Sequence, residues 1–156
     1  MRSVIAALML AALLPLPASA ADEFAVEIVR PAPLSKDALF TQTLLWMAES
    51  FRSSKEVIDL KDKELGTIIG NGAFDMNIGL VPFLPPVNVP VTFKVRIDVK
   101  DNRYRMAFSQ VKIAFDGRPN PIEETNRESN EPRVRERFEQ MANSLDAYLS
   151  RPRKDF

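Results

Sequence analysis

Two pairs of adjacent residues in this sequence are of types that could take part in acid–base catalysis. Asp22-Glu23 and Glu123-Glu124 are paired carboxylates, the groups that act as general acid and general base in many enzymes. Each pair is adjacent in sequence, on a segment without predicted secondary structure. Neither pair is therefore expected to hold a fixed geometry. We predict that the protein is not an enzyme and has no catalytic residues.

The residue types that most often bind metals and cofactors are missing. The 156 residues include no histidine and no cysteine, which removes the commonest general base, the commonest metal ligand and all thiol chemistry. Gly70-Asn71-Gly72 has the composition of a phosphate-binding turn, but it lacks the lysine and the following helix that such a turn requires. Asp98 and Tyr104 could in principle form a site, yet strand pairing accounts for both. We predict no cofactor and no metal site.

A long apolar segment is the first candidate for binding. Residues 76–90 contain four prolines and no charged residue, so the pattern predicts a loop rather than a central strand. Such a loop either folds back to cover the core or stands in water as a contact surface for a partner, a lipid or a small ligand. Both alternatives remain open from the sequence. Our hypothesis for the contact surface names four residues: Ile78, Leu80, Phe83 and Leu84.

A predicted β-hairpin supplies the second candidate. Every odd position from Val91 to Val99 is apolar and every even position is polar, a period of two that is typical of a strand with one buried face. A two-residue turn at Asp101-Asn102 would bring the returning strand into a register that pairs apolar with apolar residues. The predicted pairs are Val99 with Tyr104, Ile97 with Met106, Val95 with Phe108 and, on the other face, Asp98 with Arg105.

The solvent-facing side of this hairpin is predicted to be a mixed polar surface. Its candidate binding residues are Lys94, Arg96, Asp98 and Arg105. In the returning strand, apolar residues occupy even positions up to Phe108 and odd positions from Val111 onward. This change predicts a β-bulge at Ser109-Gln110 and added curvature in the sheet.

The remaining segments complete a predicted α+β fold. Strands are expected at 24–29, 56–61 and 64–74. Residues 116–131 are predicted to form a long surface connection. Ser35 is a predicted N-cap for a helix whose apolar stripe is Phe40, Leu44, Met47 and Phe51. Pro132 is predicted to begin a closing helix with the stripe Val134, Phe138, Met141, Leu145 and Tyr148. The simplest arrangement of these elements is a curved antiparallel five-stranded sheet with two helices on one face, in the order β-α-β-β-β-β-α.

The first twenty residues are typical of a secretory signal peptide. Arg2 precedes an apolar run from Val4 to Leu14, and the small residues Ala18-Ser19-Ala20 follow. The run is shorter than the ~20 residues that a membrane span needs. We predict cleavage before Ala21, a periplasmic or secreted location, one domain over residues 21–151 and a frayed tail at 152–156.

The charge balance of the predicted mature chain argues against nucleic acid as a partner. Without Arg2, 20 basic residues stand against 21 acidic ones, a net charge of about −1.

Four motifs support this fold: KDALF at 36–40, LWMAESF at 45–51, LGTIIGNG at 65–72 and IDVKDNRYR at 97–105. With the order of elements, they resemble a family of secreted bacterial domains of unknown function with a TATA-binding-protein-like fold. The resemblance implies that fold and an exported location, and it carries no catalytic residues. The protein that gives the fold its name binds the DNA minor groove. We do not transfer that function, because fold does not imply function.

These observations predict an exported, non-catalytic module of the cell envelope that binds an envelope protein. The alternative is a carrier of a small apolar ligand, held in a cavity between the sheet and the helices. Such pockets usually enclose ~300 Å³ or more, and the large phenylalanines of the predicted core argue against that space.

Removal of the signal peptide is directly testable. The intact mass of the exported protein should correspond to a chain that begins at Ala21, because Ala18-Ser19-Ala20 supplies the small residues that a signal peptidase requires. A mass that includes Met1 would contradict the prediction.

Overall fold

The computed structural model describes residues 23–51, 58–78 and 87–151. The predicted signal peptide, the C-terminal tail and most of the apolar segment lie outside the described residues, and so do Leu80, Phe83 and Leu84. The elements follow in the order β1 (Val26–Pro31), α1 (Lys36–Ser50), β2 (Ile58–Asp62), β3 (Thr67–Ile78), β4 (Val87–Lys100), β5 (Arg103–Phe115), β6 (Arg118–Pro121), a 3₁₀ turn (Ile122–Glu124) and α2 (Arg127–Leu149).

The strands form one antiparallel sheet in the order β1-β5-β4-β3-β2, and β6 pairs with the C-terminal half of β5. The core lies between the inner face of this sheet and the two helices. The predicted α+β class is therefore confirmed. The sheet has a sixth strand that the sequence analysis did not predict.

The β4–β5 hairpin has the predicted register. Val99 pairs with Tyr104, Ile97 with Met106, Val95 with Phe108, and Asp98 with Arg105. The predicted bulge is also present, because the pairing shifts between Thr92–Lys112 and Lys94–Ser109. Gln110 has a φ of 52°, and beyond it Val111 and Ile113 again point into the core.

The hairpin turn is bonded to the chain that enters α1. The amide of Asn102 donates to the carbonyl of Leu34, and the amide of Ala32 donates to the carbonyl of Asn102, each at 2.9 Å. Asp101 Oδ1 accepts from the amide of Lys36 at 2.7 Å, and Lys36 is the first residue of α1. The turn therefore stabilises a helix N-terminus 65 residues away in sequence.

Aromatic side chains fill the centre of the core. The rings of Phe108 on β5 and Phe138 on α2 are stacked with their centroids 4.0 Å apart, and Phe93 meets both rings edge-on. Gly72 faces Phe93 across the β3–β4 ladder, and a Cβ at this position would overlap the Phe93 ring. This close approach is the physical reason for one of the glycines inside β3.

The first helix has its predicted N-cap, and of its predicted apolar stripe Phe40 and Met47 are buried while Leu44 and Phe51 are partly buried. Ser35 is the N-cap, and its side-chain oxygen accepts a hydrogen bond from the amide of Ala38. Trp46 lies on the same helix, where a tryptophan is either a core residue or a ligand-stacking residue. It is 2% exposed, donates from Nε1 to Ser144 Oγ at 3.2 Å and meets Phe51 edge-on. Trp46 is therefore part of the core.

The region before the closing helix differs from the prediction. Residues 116–131 are not one long surface connection, because they contain β6, the 3₁₀ turn and the start of α2. Buried Ile122 anchors this turn, and buried Asn130 donates to Thr125 Oγ1 at 3.1 Å. α2 consequently begins at Arg127, and Pro132 lies inside it rather than at its first position.

The two central strands also run further than predicted. β3 continues to Ile78, and β4 begins at Val87 and contains Pro90. The ladder between β4 and β5 starts only at Val91, so the missing N–H of Pro90 leaves no gap in it. Ile78 is 6% exposed, so this residue, predicted to contact a partner, belongs to the core instead.

The aromatic stack should dominate stability. Phe108→Ala removes a fully buried ring and leaves a cavity against Phe93 and Phe138, so we expect a loss of ~3–5 kcal/mol in the free energy of unfolding from urea melts. Lys112→Ala is the control on the same strand. Lys112 is exposed, and its loss should cost less than ~0.5 kcal/mol. Equal losses in the two variants would mean that the two faces of β5 are reversed.

Candidate functional site

The outward-pointing face of the sheet carries the candidate site. Because the helices pack against the inner face, the alternate residues of β4 and β5 that point outward are exposed or partly exposed. Cross-strand pairing places these residues in rungs that run across the sheet. One rung contains Val29, Arg105, Asp98 and Thr67, and the next contains Glu27, Ala107, Arg96 and Ile69.

Asp98 is the centre of a charged network on this face. Its carboxylate accepts hydrogen bonds from Arg105 Nη2 at 2.6 Å, Thr67 Oγ1 at 2.7 Å and Arg96 Nε at 3.0 Å. Glu27 Oε2 lies 3.6 Å from Arg105 Nη1. Charges of alternating sign therefore run from β1 through β5 to β4, and each arginine is held by a carboxylate.

Three of the four predicted polar-face residues come together in this network. The fourth, Lys94, lies beside it with its Nζ 3.8 Å from Asp59 Oδ2, and Asp59 also accepts from Asn71 Nδ2 at 2.8 Å. Lys94 is thus held by the β2 edge of the sheet and makes no contact with Asp98.

Hydrogen bonding keeps the Asp98 carboxylate ionised. Burial by itself raises the pKa of Asp98, but the hydrogen bonds from Arg105, Thr67 and Arg96 outweigh it and hold the pKa below its ordinary value of 3.8. The hydrogen bond to Asp98 in turn raises the pKa of Arg105. A general acid needs a pKa near the working pH. This arrangement favours binding through fixed charges over proton transfer.

A depression of about 290 Å³ lies beside the network, near the hairpin turn. Val29 is 57% exposed there. The residues that line it come from three strands and are Glu27, Val29, Asp98, Lys100, Arg103, Tyr104 and Arg105. Sequence reasoning missed Glu27 and Val29 because it could not place β1 beside β5. It missed Lys100 and Arg103 although the predicted turn already set them opposite each other.

Tyr104 and Asp98 do not form a joint site, because they point to opposite faces of the sheet. The Tyr104 hydroxyl donates to Asp146 Oδ1 at 2.6 Å and lies 3.2 Å from the carbonyl of Ala142. Burial, followed by this hydrogen bond, raises the pKa of Tyr104. Tyr104 therefore connects β5 to α2. Glu123 accepts a hydrogen bond from the amide of Phe24 at 2.5 Å, which connects the segment just before β1 to the 3₁₀ turn.

A cleft of about 350 Å³ lies where α1, α2 and β3 meet. Trp46, Phe51, Phe74, Arg137 and Ser144 are among its lining residues. Phe74, which lines the cleft, meets Phe93 and Phe138 at the edge of the aromatic core.

Within residues 23–51, 58–78 and 87–151, no three Asp or Glu side chains cluster in a way that could hold a metal ion. Neither of the two described helices is long and apolar enough to cross a membrane.

The protonation of Asp98 should be linked to folding. Because folding lowers its pKa, the carboxylate contributes stability that is complete above 3.8 and lost as the pH falls through the lower pKa of the folded state. Asp98→Asn removes this contribution. Urea melts at a series of pH values should therefore show a shallower loss of unfolding free energy below a pH of about 4 than in the wild type.

Asp75→Asn is the control for this measurement. Asp75 is an exposed aspartate on the same face that makes no ion pair with a described residue, so Asp75→Asn removes a carboxylate without removing a described salt bridge, and its urea melts serve as the comparison. Parallel curves for the wild type and Asp98→Asn would contradict the assignment.

Two solved structures share this architecture. A DUF4468 family protein from Bacteroides ovatus ATCC 8483 superimposes with a TM-score of 0.71, at 12% sequence identity over 90% of this chain and 93% of that chain. A TBP-like protein from Parabacteroides distasonis ATCC 8503 superimposes with a TM-score of 0.59, at 16% identity over 87% of this chain and 98% of that chain. At these identities the similarity shows the fold alone.

The family is identified by sequence. No curated protein sequence matches the chain. The sequence profile of a family described as a domain of unknown function (DUF4468) with TBP-like fold matches residues 26–114, more than half of the chain. This match confirms the predicted fold and the predicted resemblance, and the chain belongs to the DUF4468 family of domains of unknown function with a TBP-like fold.

Proposed function

We propose that the protein is an exported, non-catalytic module of the cell envelope that binds another protein through the outer face of its sheet. The observation that carries this proposal is the ordered charge network of Glu27, Arg105, Asp98 and Arg96 beside the 290 Å³ depression. The proposed export rests on the sequence of residues 1–20 alone.

The network supports binding because its side chains are already ordered. A long side chain such as arginine loses about 0.5–1.5 kcal/mol of conformational freedom when a partner immobilises it. Arg96 and Arg105 are each hydrogen-bonded to Asp98, so they would lose less conformational freedom when a partner binds. Val29 and the partly exposed Ile69 and Ala107 supply apolar area between the charges.

The proposed absence of catalysis rests on the electrostatics of the same site. The described carboxylate with a lowered pKa is Asp98, and three donors hold it in the ionised state. A group in this state is suited to a fixed electrostatic contact rather than to proton transfer.

The second candidate function, a carrier of a small apolar ligand, is supported by the 350 Å³ cleft. Its volume is close to the lower limit for ligand pockets. Its wall includes Arg137, Gln140 and Ser144 beside the aromatic residues, and the aromatic core fills the centre between sheet and helices. Ligand entry there would change the fluorescence of Trp46, the only tryptophan in the chain, whereas binding on the outer face would not.

The absence of cysteine allows a site-specific test of the proposed face. Ala107→Cys places one thiol in the middle of the outer face, and Ala147→Cys places one on the exposed side of α2 as a matched control. Each variant is labelled with a photo-reactive crosslinker and mixed with cell-envelope extract. We expect one dominant adduct from position 107, competed away by unlabelled wild-type protein, and none of that mass from position 147.

Unfolding curves of the two variants should match, because both substitutions are small and neither removes a described contact. The same adducts from both positions, or adducts that unlabelled protein does not compete away, would refute a specific contact through the outer face.

A further inference from the structure

The end of the β4–β5 hairpin carries an electrostatic conflict. Lys100 and Arg103 are directly opposite in the strand register, and both side chains are exposed. Like charges directly opposite in an antiparallel pair are destabilising. In the strand registers of the described residues, this is the one pair of like charges that face each other.

No described acidic group relieves this conflict. Neither Lys100 nor Arg103 makes an ion pair or a side-chain hydrogen bond with any residue that the structure describes. The carboxylates that line the depression are those of Asp98 and Glu27, and both already contact Arg105. Asp101, between the two residues in sequence, accepts from the amide of Lys36.

The surroundings of the pair have the character of a binding site. Lys100, Arg103 and Arg105 line the same 290 Å³ depression, and Val29 exposes an apolar side chain beside them. The backbone that positions Lys100 and Arg103 is held by the hydrogen bonds from the turn to Leu34, Ala32 and Lys36. The backbone of Lys100 and Arg103 is thus held in place, while their charged groups remain in solvent.

We propose that Lys100 and Arg103 bind the carboxylates of an acidic segment of the partner protein, with Val29 packing against an apolar residue of that segment. This inference rests on the proposed function and names the chemistry of the partner. A carboxylate placed between the two side chains would convert a repulsive pair into two charge-assisted hydrogen bonds.

A protein segment fits the outer face better than an anionic membrane surface does. Glu27, Asp98, Asp59 and Asp75 also lie on this face. A flat anionic surface would bring its charges against all four carboxylates, whereas an extended segment can place its own carboxylates at the hairpin end alone.

The test uses the mature protein and a fluorescein-labelled hexaglutamate peptide, with a hexaglutamine peptide for comparison. Binding is followed by fluorescence anisotropy at low ionic strength, where exposed charges are least screened. We expect the wild type to bind hexaglutamate and not hexaglutamine. The double variant Lys100→Gln/Arg103→Gln should bind hexaglutamate about tenfold more weakly, because it removes both charged donors.

A second double variant controls for net charge. Lys112→Gln/Arg118→Gln also removes two exposed basic side chains, but these lie at the opposite end of β5 and on β6. Its affinity for hexaglutamate should remain within about twofold of the wild type, since only screened long-range interactions are lost. The melting temperature of Lys100→Gln/Arg103→Gln should be equal to or above that of the wild type, because a repulsive pair has been removed.

Failure of this inference can be distinguished from failure of the proposed function. Equal weakening in both double variants, or no binding of hexaglutamate by the wild type, would overturn the acidic-segment site. The proposed function would survive if Ala107→Cys still gave its competed adduct. Loss of that adduct in the Lys100→Gln/Arg103→Gln background, with the control background unaffected, would support both proposals.

Discussion

The pairing register between β4 and β5 decides which side chains enter the core and which form the charge network on the outer face. With Val95 opposite Phe108, the Phe108 ring points inward and stacks on Phe138 of α2. The same register puts Asp98 opposite Arg105 and creates the charge network on the outer face. A slip by one residue would turn the apolar set toward water and separate these two charges. Core packing and the candidate site therefore depend on one constraint, and neither can change without the other.

The bulge at Gln110 extends this constraint to the end of the sheet. After one extra residue on β5, Val111 and Ile113 again point into the core, and Lys112 points outward. Lys112–Pro121 and Ile113–Asn120 then pair β5 with β6, which leads directly to buried Ile122 and the start of α2. The helix that supplies Phe138 to the core is thus connected to the same strand as Phe108.

The features that the sequence predicted are those set by local patterns. The period of two in β4 and β5, the parity change at the bulge and the Ser35 cap all depend on residues a few positions apart. The pairing of β1 with β5 depends on residues about 80 positions apart, so Val29 and Glu27 could not be placed beside Arg105. Ile78 and Pro132 were misassigned for another reason. Proline is a strong local breaker, yet β4 contains Pro90 at a position where β5 needs no N–H, and α2 continues through Pro132.

The hydrogen bonds of the hairpin turn also bear on how the molecule opens. Asp101 and Asn102 contact the linker and the first turn of α1, so detaching α1 would leave the amides of Lys36 and Asn102 and the Asp101 carboxylate without partners. α1 and the hairpin are therefore coupled in one cooperative unfolding unit, although much of the chain separates them. Local opening that detaches α1 from the sheet therefore requires the turn to be released at the same time. The turn thus holds the N-terminal segment at residues 32–36 against the β4–β5 hairpin.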